Sequence, residues 1–506
     1  MPAPLTTAPE PPAAPVPAPP PTATPGPAGA RLEGSLRPRH LTMLALGGVI
    51  GAGLFVGSGT GLRVAGPAII LSYALAAALA LLVMRMLGEM AAAMPASGSF
   101  SVYADRALGR WAGFTAGWLY WAVTAIAIAI ELIAAATILH QWMPGVPQWL
   151  IALVALAVFT QSNMFSVSSF GEAEFWFAGI KVAAIIVFLA LGVAAFCGAV
   201  PGVDSPGMAN LTGRGGFLPQ GWNSVVAGLL TVVFAFGGME VITMAAAESG
   251  DPARSVTKAV NSAIWRISLF YLGSIAVIIT LLPWDSATPG RSPYVAVLDG
   301  LGIPGAGRLI EVVVLIALLS AMNANLYGAS RMAHSLAARG DAPRALSRTS
   351  GRGAPRAAVA ASAAFAFVSI GLDHRWPDQI LPFLAKAMGG SMLYMWLTVA
   401  AAHLVLRRRL EREAPHLLVV RMRGFPYLSW LAAGGIVCVL VLMARDPGTR
   451  GQLGWSSLLV LVLLAAAGVR AVRARRAAGR RGPVRPTGVR GPARSVRPRT
   501  ASRWSR

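Results

Sequence analysis

From about residue 41 to residue 470 the chain is a succession of apolar runs separated by short polar breaks. Each run approaches the length needed to cross a hydrocarbon core of about 30 Å, which takes a helix of about 20 residues. The pattern predicts twelve spans, near 41–62, 66–93, 112–139, 148–163, 174–199, 223–247, 262–282, 308–335, 356–372, 378–406, 426–443 and 453–470. The flanks differ. Residues 2–30 are almost wholly Pro, Ala and Thr, with Glu10 the only charge. They lack the basic start and continuous apolar core of a secretory leader and read as a disordered, Pro-rich extension. The expected organisation is an extension over 1–34, a transmembrane domain over 35–470 and an Arg-rich disordered tail over 471–506.

Composition sharpens this picture. Hydrophobic residues make up 55% of the chain and charged ones 12%, with a mean hydropathy of +0.62. A soluble chain carries roughly 25% charged residues, so too few remain here to clothe a water-facing surface. An all-α polytopic membrane protein is what is left. The net charge of +23 is unevenly placed: thirteen arginines fall between Arg470 and Arg506 with no acidic residue among them. That stretch reads as a solvated basic arm that can touch anionic lipid; without aromatic interleaving it does not read as a nucleic-acid site.

Arginine placement also sets orientation. The segments 331–356 and 407–423 carry six arginines each, whereas 140–147 has no basic residue and 200–222 only Arg214. The positive-inside rule then puts both termini in the cytoplasm. Lysine is scarce, with only Lys181, Lys258 and Lys386. The two cysteines, Cys197 and Cys438, offer neither a disulfide framework nor metal-ligand spacing.

Two spans carry glycine clusters near their middles. The first reads Leu44-Ala45-Leu46-Gly47-Gly48-Val49-Ile50-Gly51-Ala52-Gly53-Leu54-Phe55, and the sixth reads Phe234-Ala235-Phe236-Gly237-Gly238-Met239-Glu240. Five apart, they run in opposite directions. Paired interruptions of this kind point to an inverted-repeat secondary transporter whose two discontinuous helices meet at the substrate. A break exposes free N–H groups at one new helix end and free C=O groups at the other. Together they suit a zwitterion. The alternative is that the glycines only permit close helix packing.

Further motifs carry a family resemblance. They are Arg39-His40-Leu41-Thr42-Met43 ahead of the first cluster, Met84-Arg85-Met86-Leu87-Gly88-Glu89-Met90, Gly98-Ser99-Phe100-Ser101-Val102-Tyr103-Ala104-Asp105, Gly117-Trp118-Leu119-Tyr120-Trp121 and Gly171-Glu172-Ala173-Glu174-Phe175-Trp176. Ala245-Ala246-Ala247-Glu248-Ser249 and Asn261-Ser262-Ala263-Ile264-Trp265-Arg266-Ile267 continue the series. Over about residues 35–470 the chain resembles the amino-acid transporter family of the amino acid–polyamine–organocation superfamily, and among its members it looks most like bacterial 4-aminobutyrate (GABA) permeases.

The resemblance implies a leucine-transporter-type fold: two inverted five-helix repeats, spans 1–5 and 6–10, plus two peripheral helices. It implies uptake of GABA or another small neutral amino acid across the bacterial plasma membrane by proton symport and alternating access, with no cofactor. Carried over residue by residue, Val49, Ile50, Gly51, Ala52 and Gly53 should receive the substrate carboxylate. Phe236, Gly237, Gly238 and Glu240 should offer carbonyls to the amino group and a wall to the rest. Asn323, with Asn325, Tyr327 and Ser330, brings polar groups into the eighth span, where some should line the cavity and others bond between helices.

An ionisable side chain at bilayer depth costs at least about 2.5–3.5 kcal/mol, so each one asks for a function. Lys181 in the fifth span resembles the family lysine that stands in for a bound cation beside the first break; it is either a proton-coupling group or a permanently charged strut. Glu131 in the third span is either a proton carrier or partner of the substrate amine, or a neutral carboxyl bonded within the bundle. Glu240 either touches substrate or holds the unwound geometry by accepting loose N–H groups. Lys386, ahead of Gly389-Gly390, departs from the GABA-permease pattern, and Trp396 reads as packing. Glu172 and Glu174 read as ordinary acidic residues at the cytoplasmic start of the fifth helix. Arg85, Glu89, Asp105 and Arg106 are either inner-gate ion pairs or interfacial charge.

Other classes fit poorly. The six histidines are dispersed and no H-E-x-x-H occurs, and no lysine follows a glycine as in a phosphate-binding loop. A channel would show a selectivity loop rather than midplane breaks. An exchanger of the same fold is the alternative that sequence separates least from a symporter. The expected partners are an amino-acid substrate, protons and the lipid bilayer, with oligomeric state left open.

Overall fold

The computed structural model describes residues 43, 50–96, 98–165, 167–241, 243, 251–286, 292–350 and 353–480. Among these there is helix and no strand, as the bilayer demands of segments that must satisfy their own backbone. In chain order the main helices are α1 (Ala52–Phe55), α2 (Gly57–Ala65), α3 (Ile69–Ala93), α4 (Ser99–Leu108), α5 (Arg110–Trp142), α6 (Gln148–Phe165), α7 (Val167–Phe196) and α8 (Trp222–Val232). They continue as α9 (Pro252–Arg266), α10 (Gly273–Leu281), α11 (Pro293–Gly300), α12 (Ala306–Ala338), α13 (Arg356–Arg375), α14 (Pro377–Glu413), α15 (Tyr427–Arg445) and α16 (Pro447–Arg480).

The expected spans fall on these elements in order. The first corresponds to α1–α2, the second to α3, the third to fifth to α5–α7, the sixth to α8, the seventh to α9–α10, and the eighth to twelfth to α12–α16. Two helices, α4 and α11, are too short to cross and lie between spans; their mixed polarity gave no apolar run. A π-helical stretch over Ile267–Leu272 joins α9 to α10. The last helix runs ten residues into the expected tail, to Arg480. Arginine is a good helix former, and the next proline in the sequence is Pro483.

α5 and α12, 33 residues each, pack together more extensively than any other pair. The first interrupted span meets this pair through α1, whereas α8 of the sixth packs on α2 and α3. The interrupted spans touch backbone to backbone: a Cβ on Gly53 would stand 2.5 Å from the Ala235 Cα. Glycine is required there because lipid gives helices no hydrophobic reason to associate, so close approach and dispersion must hold them together.

One end of the bundle is rich in arginine and carries an ion network. Glu89 of α3 is buried. Its carboxylate accepts from Arg407 Nη1 at 2.5 Å and from the Met422 N–H at 2.5 Å, with His403 Nε2 3.4 Å away. Arg407 also donates from Nε to Glu411 at 2.8 Å, and its guanidinium faces the Phe425 ring. The network ties α3 to α14 and to the connection leading into α15. Asp105 of α4 lies 3.8 Å from Arg339, and Arg85 bonds Asn261 at 2.8 Å.

Removing one partner of a buried ion pair strands the other, at about 3–5 kcal/mol, whereas a half-exposed pair contributes under about 1 kcal/mol. Glu89→Ala should therefore lower the unfolding temperature in detergent markedly and Glu411→Gln hardly at all. Equal shifts would show that the Glu89 network does not hold this end together.

Candidate functional site

The first span is irregular at Ile50 and Gly51 and becomes helical at Ala52, with Gly51 in an extended conformation as its N-cap. Two side chains from other helices meet the freed backbone. The Ala52 N–H donates to the Glu131 carboxylate of α5, at 3.3 and 3.2 Å to its two oxygens. The Ile50 carbonyl accepts from Lys181 Nζ of α7 at 3.5 Å. A carboxyl group thus sits at the N-terminus of α1 and an amine at the Ile50 carbonyl, the arrangement that the partial charges of helix ends favour.

Lys181 has further partners. Its ammonium donates to Ser320 Oγ of α12 at 2.8 Å. That hydroxyl in turn donates to the Glu174 carboxylate, 2.8 and 2.7 Å from its two oxygens. Lys181 and Glu174 are 3.5 Å apart and both side chains are wholly buried. The boundary role expected for Glu174 is therefore incorrect. The fifth helix starts at Val167 rather than 174, which carries Glu174 two turns into the bundle. The signal was available: Glu174 and Lys181 are seven apart, two helical turns on one face.

In the sixth span α8 tightens into a 3-10 turn over Val233–Phe236, and residues 237–240 form turns. Gly238 has φ +91°, a left-handed conformation that glycine adopts without strain. Its N–H donates to Glu240 Oε1 at 3.3 Å. Glu240 thus touches the unwound backbone and also lines the cavity described below. The Ala235 carbonyl accepts from the Tyr271 hydroxyl at 2.9 Å, and Phe236 stacks on the Tyr271 ring.

Between the breaks lies a cavity of about 40 Å³, lined by residues including Gly51, Ala52, Gly53, Gly237, Gly238 and Glu240. Thr124 and Glu131 of α5, Ala321 and Asn325 of α12, and Met388 and Met392 of α14 also line it, with apolar residues of α5 such as Val123 and Ile130.

The residues singled out from sequence separate into groups. Gly51, Ala52, Gly53, Glu131, Gly237, Gly238 and Glu240 meet at the cavity. Ile50 and Lys181 lie beside it at the break, and Phe236 lines a neighbouring crevice with Glu240 and Trp396. Val49 lies outside the described residues, as does the Lys386 side chain. Asn323, expected with substrate, instead accepts from Asn163 Nδ2 of α6 at 2.7 Å. Asn325, two residues on, is the α12 amide on the cavity wall; successive helical residues turn by about 100°, so the pair faces two ways. No cluster suited to a metal ion occurs among the described residues.

The fold and site describe a helical membrane protein with two interrupted spans around a partly polar cavity. The amino acid permease family model matches residues 40–474, and the chain belongs to that family. It is 45% identical to the gamma-aminobutyric acid permease of Bacillus subtilis over 86% of this chain and 92% of that protein. It is 46% identical to the aromatic amino acid transport protein AroP of Corynebacterium glutamicum, over 82% and 90%. Identity to the gamma-aminobutyric acid permease of Escherichia coli is 42%, over 86% and 93%. It is a membrane permease for amino acids, not an enzyme.

The Lys181–Glu174 pair is open to a double-mutant cycle. Lys181→Met and Glu174→Leu should each lower the unfolding temperature, because each strands a buried charge. The double variant should lose less than the two combined, with a coupling of about 0.5–3 kcal/mol. Simple additivity would show that the two side chains act independently.

Proposed function

We propose that this permease imports GABA or another small neutral amino acid by proton symport and alternating access. The observation that carries the reading is the bond from the Ala52 N–H to Glu131. The group that an incoming carboxylate needs is held by a carboxylate of the protein itself. Substrate entry exchanges one anion for the other at the helix end. Released, Glu131 takes up a proton, while the carbonyls of the sixth break receive the substrate ammonium. Lys181 keeps the Ile50 carbonyl satisfied while the cavity walls move, with Glu174 and Ser320 holding the ammonium in place.

The relatives support the substrate class, since their names specify gamma-aminobutyric acid and aromatic amino acids. Met388 and Met392 on the cavity wall are flexible and fill irregular space, which suits a short side chain better than a ring. The assignment of both termini to the cytoplasmic face of the plasma membrane rests on arginine placement. The division into an extension over 1–34, a permease domain over 35–470 and a tail from 471 belongs to the same proposal, with α16 continuing to Arg480.

Uptake of radiolabelled amino acids into proteoliposomes, with and without an inward-acid gradient, tests this. Wild type should accumulate one zwitterion in a gradient-dependent way. Lys181→Ala should abolish accumulation, and Glu131→Gln should retain binding yet lose the response to the gradient. Uptake that needs preloaded amino acid and ignores the gradient would instead make this an exchanger and end the coupling role of Glu131.

A further inference from the structure

A groove of about 860 Å³ lies away from the substrate cavity, between α14 and α15 at the arginine-rich end. Its α14 wall is Leu397, Ala401, Leu404 and Val405, rising to Arg408 and Arg412. These positions recur three and four residues apart, hence on one helix face. α15 runs back alongside, presenting Trp430 at the mouth and Gly434 and Val437 deeper in. At 1.5 Å per residue, Leu397 to Arg408 covers about 16 Å, close to one leaflet of a core about 30 Å thick. The groove is apolar for the depth of an acyl chain and basic at the level of a headgroup.

The mouth is built for an anion. Arg408, Arg409 and Arg412 are exposed and stand against a single rim carboxylate, Glu413. Arg409 is anchored by donating to the Arg106 carbonyl at 2.9 Å. Guanidiniums meet phosphate with paired N–H donors, which an ammonium cannot do. Trp430, 57% exposed, is the residue type that settles at the boundary between acyl chains and headgroups.

We propose that this groove is a binding site for an anionic phospholipid, with its phosphodiester on Arg408 and Arg412 and one acyl chain along Leu397, Ala401 and Val405. The lipid braces α14, the helix that also places Met388 and Met392 on the substrate cavity.

The test is native mass spectrometry of the full-length protein in neutral detergent, titrated with phosphatidylglycerol, with phosphatidylcholine of the same chains, and with the soluble headgroup glycerophosphoglycerol. One phosphatidylglycerol should be retained, and phosphatidylcholine should bind roughly tenfold more weakly. Arg408→Gln with Arg412→Gln should weaken phosphatidylglycerol by about tenfold. Arg344→Gln with Arg348→Gln removes the same charge from exposed positions on another connection and should leave binding unchanged. Equal loss in the two double variants, or equal retention of both lipids, would overturn the site. Headgroup binding as tight as that of the whole lipid would make it a phosphate-ester site and overturn the lipid assignment. All substituted arginines are exposed, so the core is untouched.

Discussion

A helix that stops inside a bilayer leaves an N–H and a carbonyl where there is no water to meet them, at several kcal/mol for each unsatisfied group. In this permease the Ile50 carbonyl is met by Lys181 and the Ala52 N–H by Glu131. That requirement accounts for ionisable residues whose burial would otherwise be hard to understand. Lys181 on α7 and Glu131 on α5 approach the same interruption from separate helices, and Ser320 and Glu174 complete the surroundings of the ammonium. The sixth span meets the same requirement by other means, with the Tyr271 hydroxyl on the Ala235 carbonyl and Glu240 folded back on the Gly238 N–H.

Satisfaction by side chains differs from satisfaction by a helix ladder in one respect that bears on function. A ladder bond is renewed only by the same backbone partner, whereas a carboxylate at a helix end can be replaced by any other carboxylate. Glu131 keeps the Ala52 N–H from being orphaned. The neighbouring wall is made of small residues: Gly53 lies against the backbone of Ala235, and Ala321 stands beside Gly51. The two interrupted spans therefore touch directly. The Glu89–Arg407 network works at the arginine-rich end of the bundle, where it secures α3 and α14.

Much of this was legible in the sequence. The apolar runs placed the spans to within a few residues at most boundaries, because length and hydropathy are what the bilayer reads. The two glycine clusters located both interruptions, and the lone ionisable residues Lys181 and Glu131 marked the helices that serve the first. Other features were hidden for physical reasons. Glu174 sat at an assumed helix start that lies two turns inside the real helix, so a buried ion-pair partner passed for boundary charge. Asn323 and Asn325 are both amides on an apolar helix, and only the helix rotation tells which faces α6 and which the cavity. α4 and α11 carry no long apolar run, so hydropathy had no hold on them. Glu89 was visible as a charge, but its partner Arg407 is more than three hundred residues away in sequence.

The central claim is that Glu131 and a substrate carboxylate compete for the Ala52 N–H. The direct measurement is proton exchange on binding, followed with a pH indicator as a saturating dose of the transported amino acid is added to purified protein in weakly buffered detergent solution. The account predicts that wild type takes up protons as it binds, because Glu131 loses its N–H donor, and that Glu131→Gln binds without that uptake. Binding by wild type with no proton uptake, or the same uptake in Glu131→Gln, would contradict it.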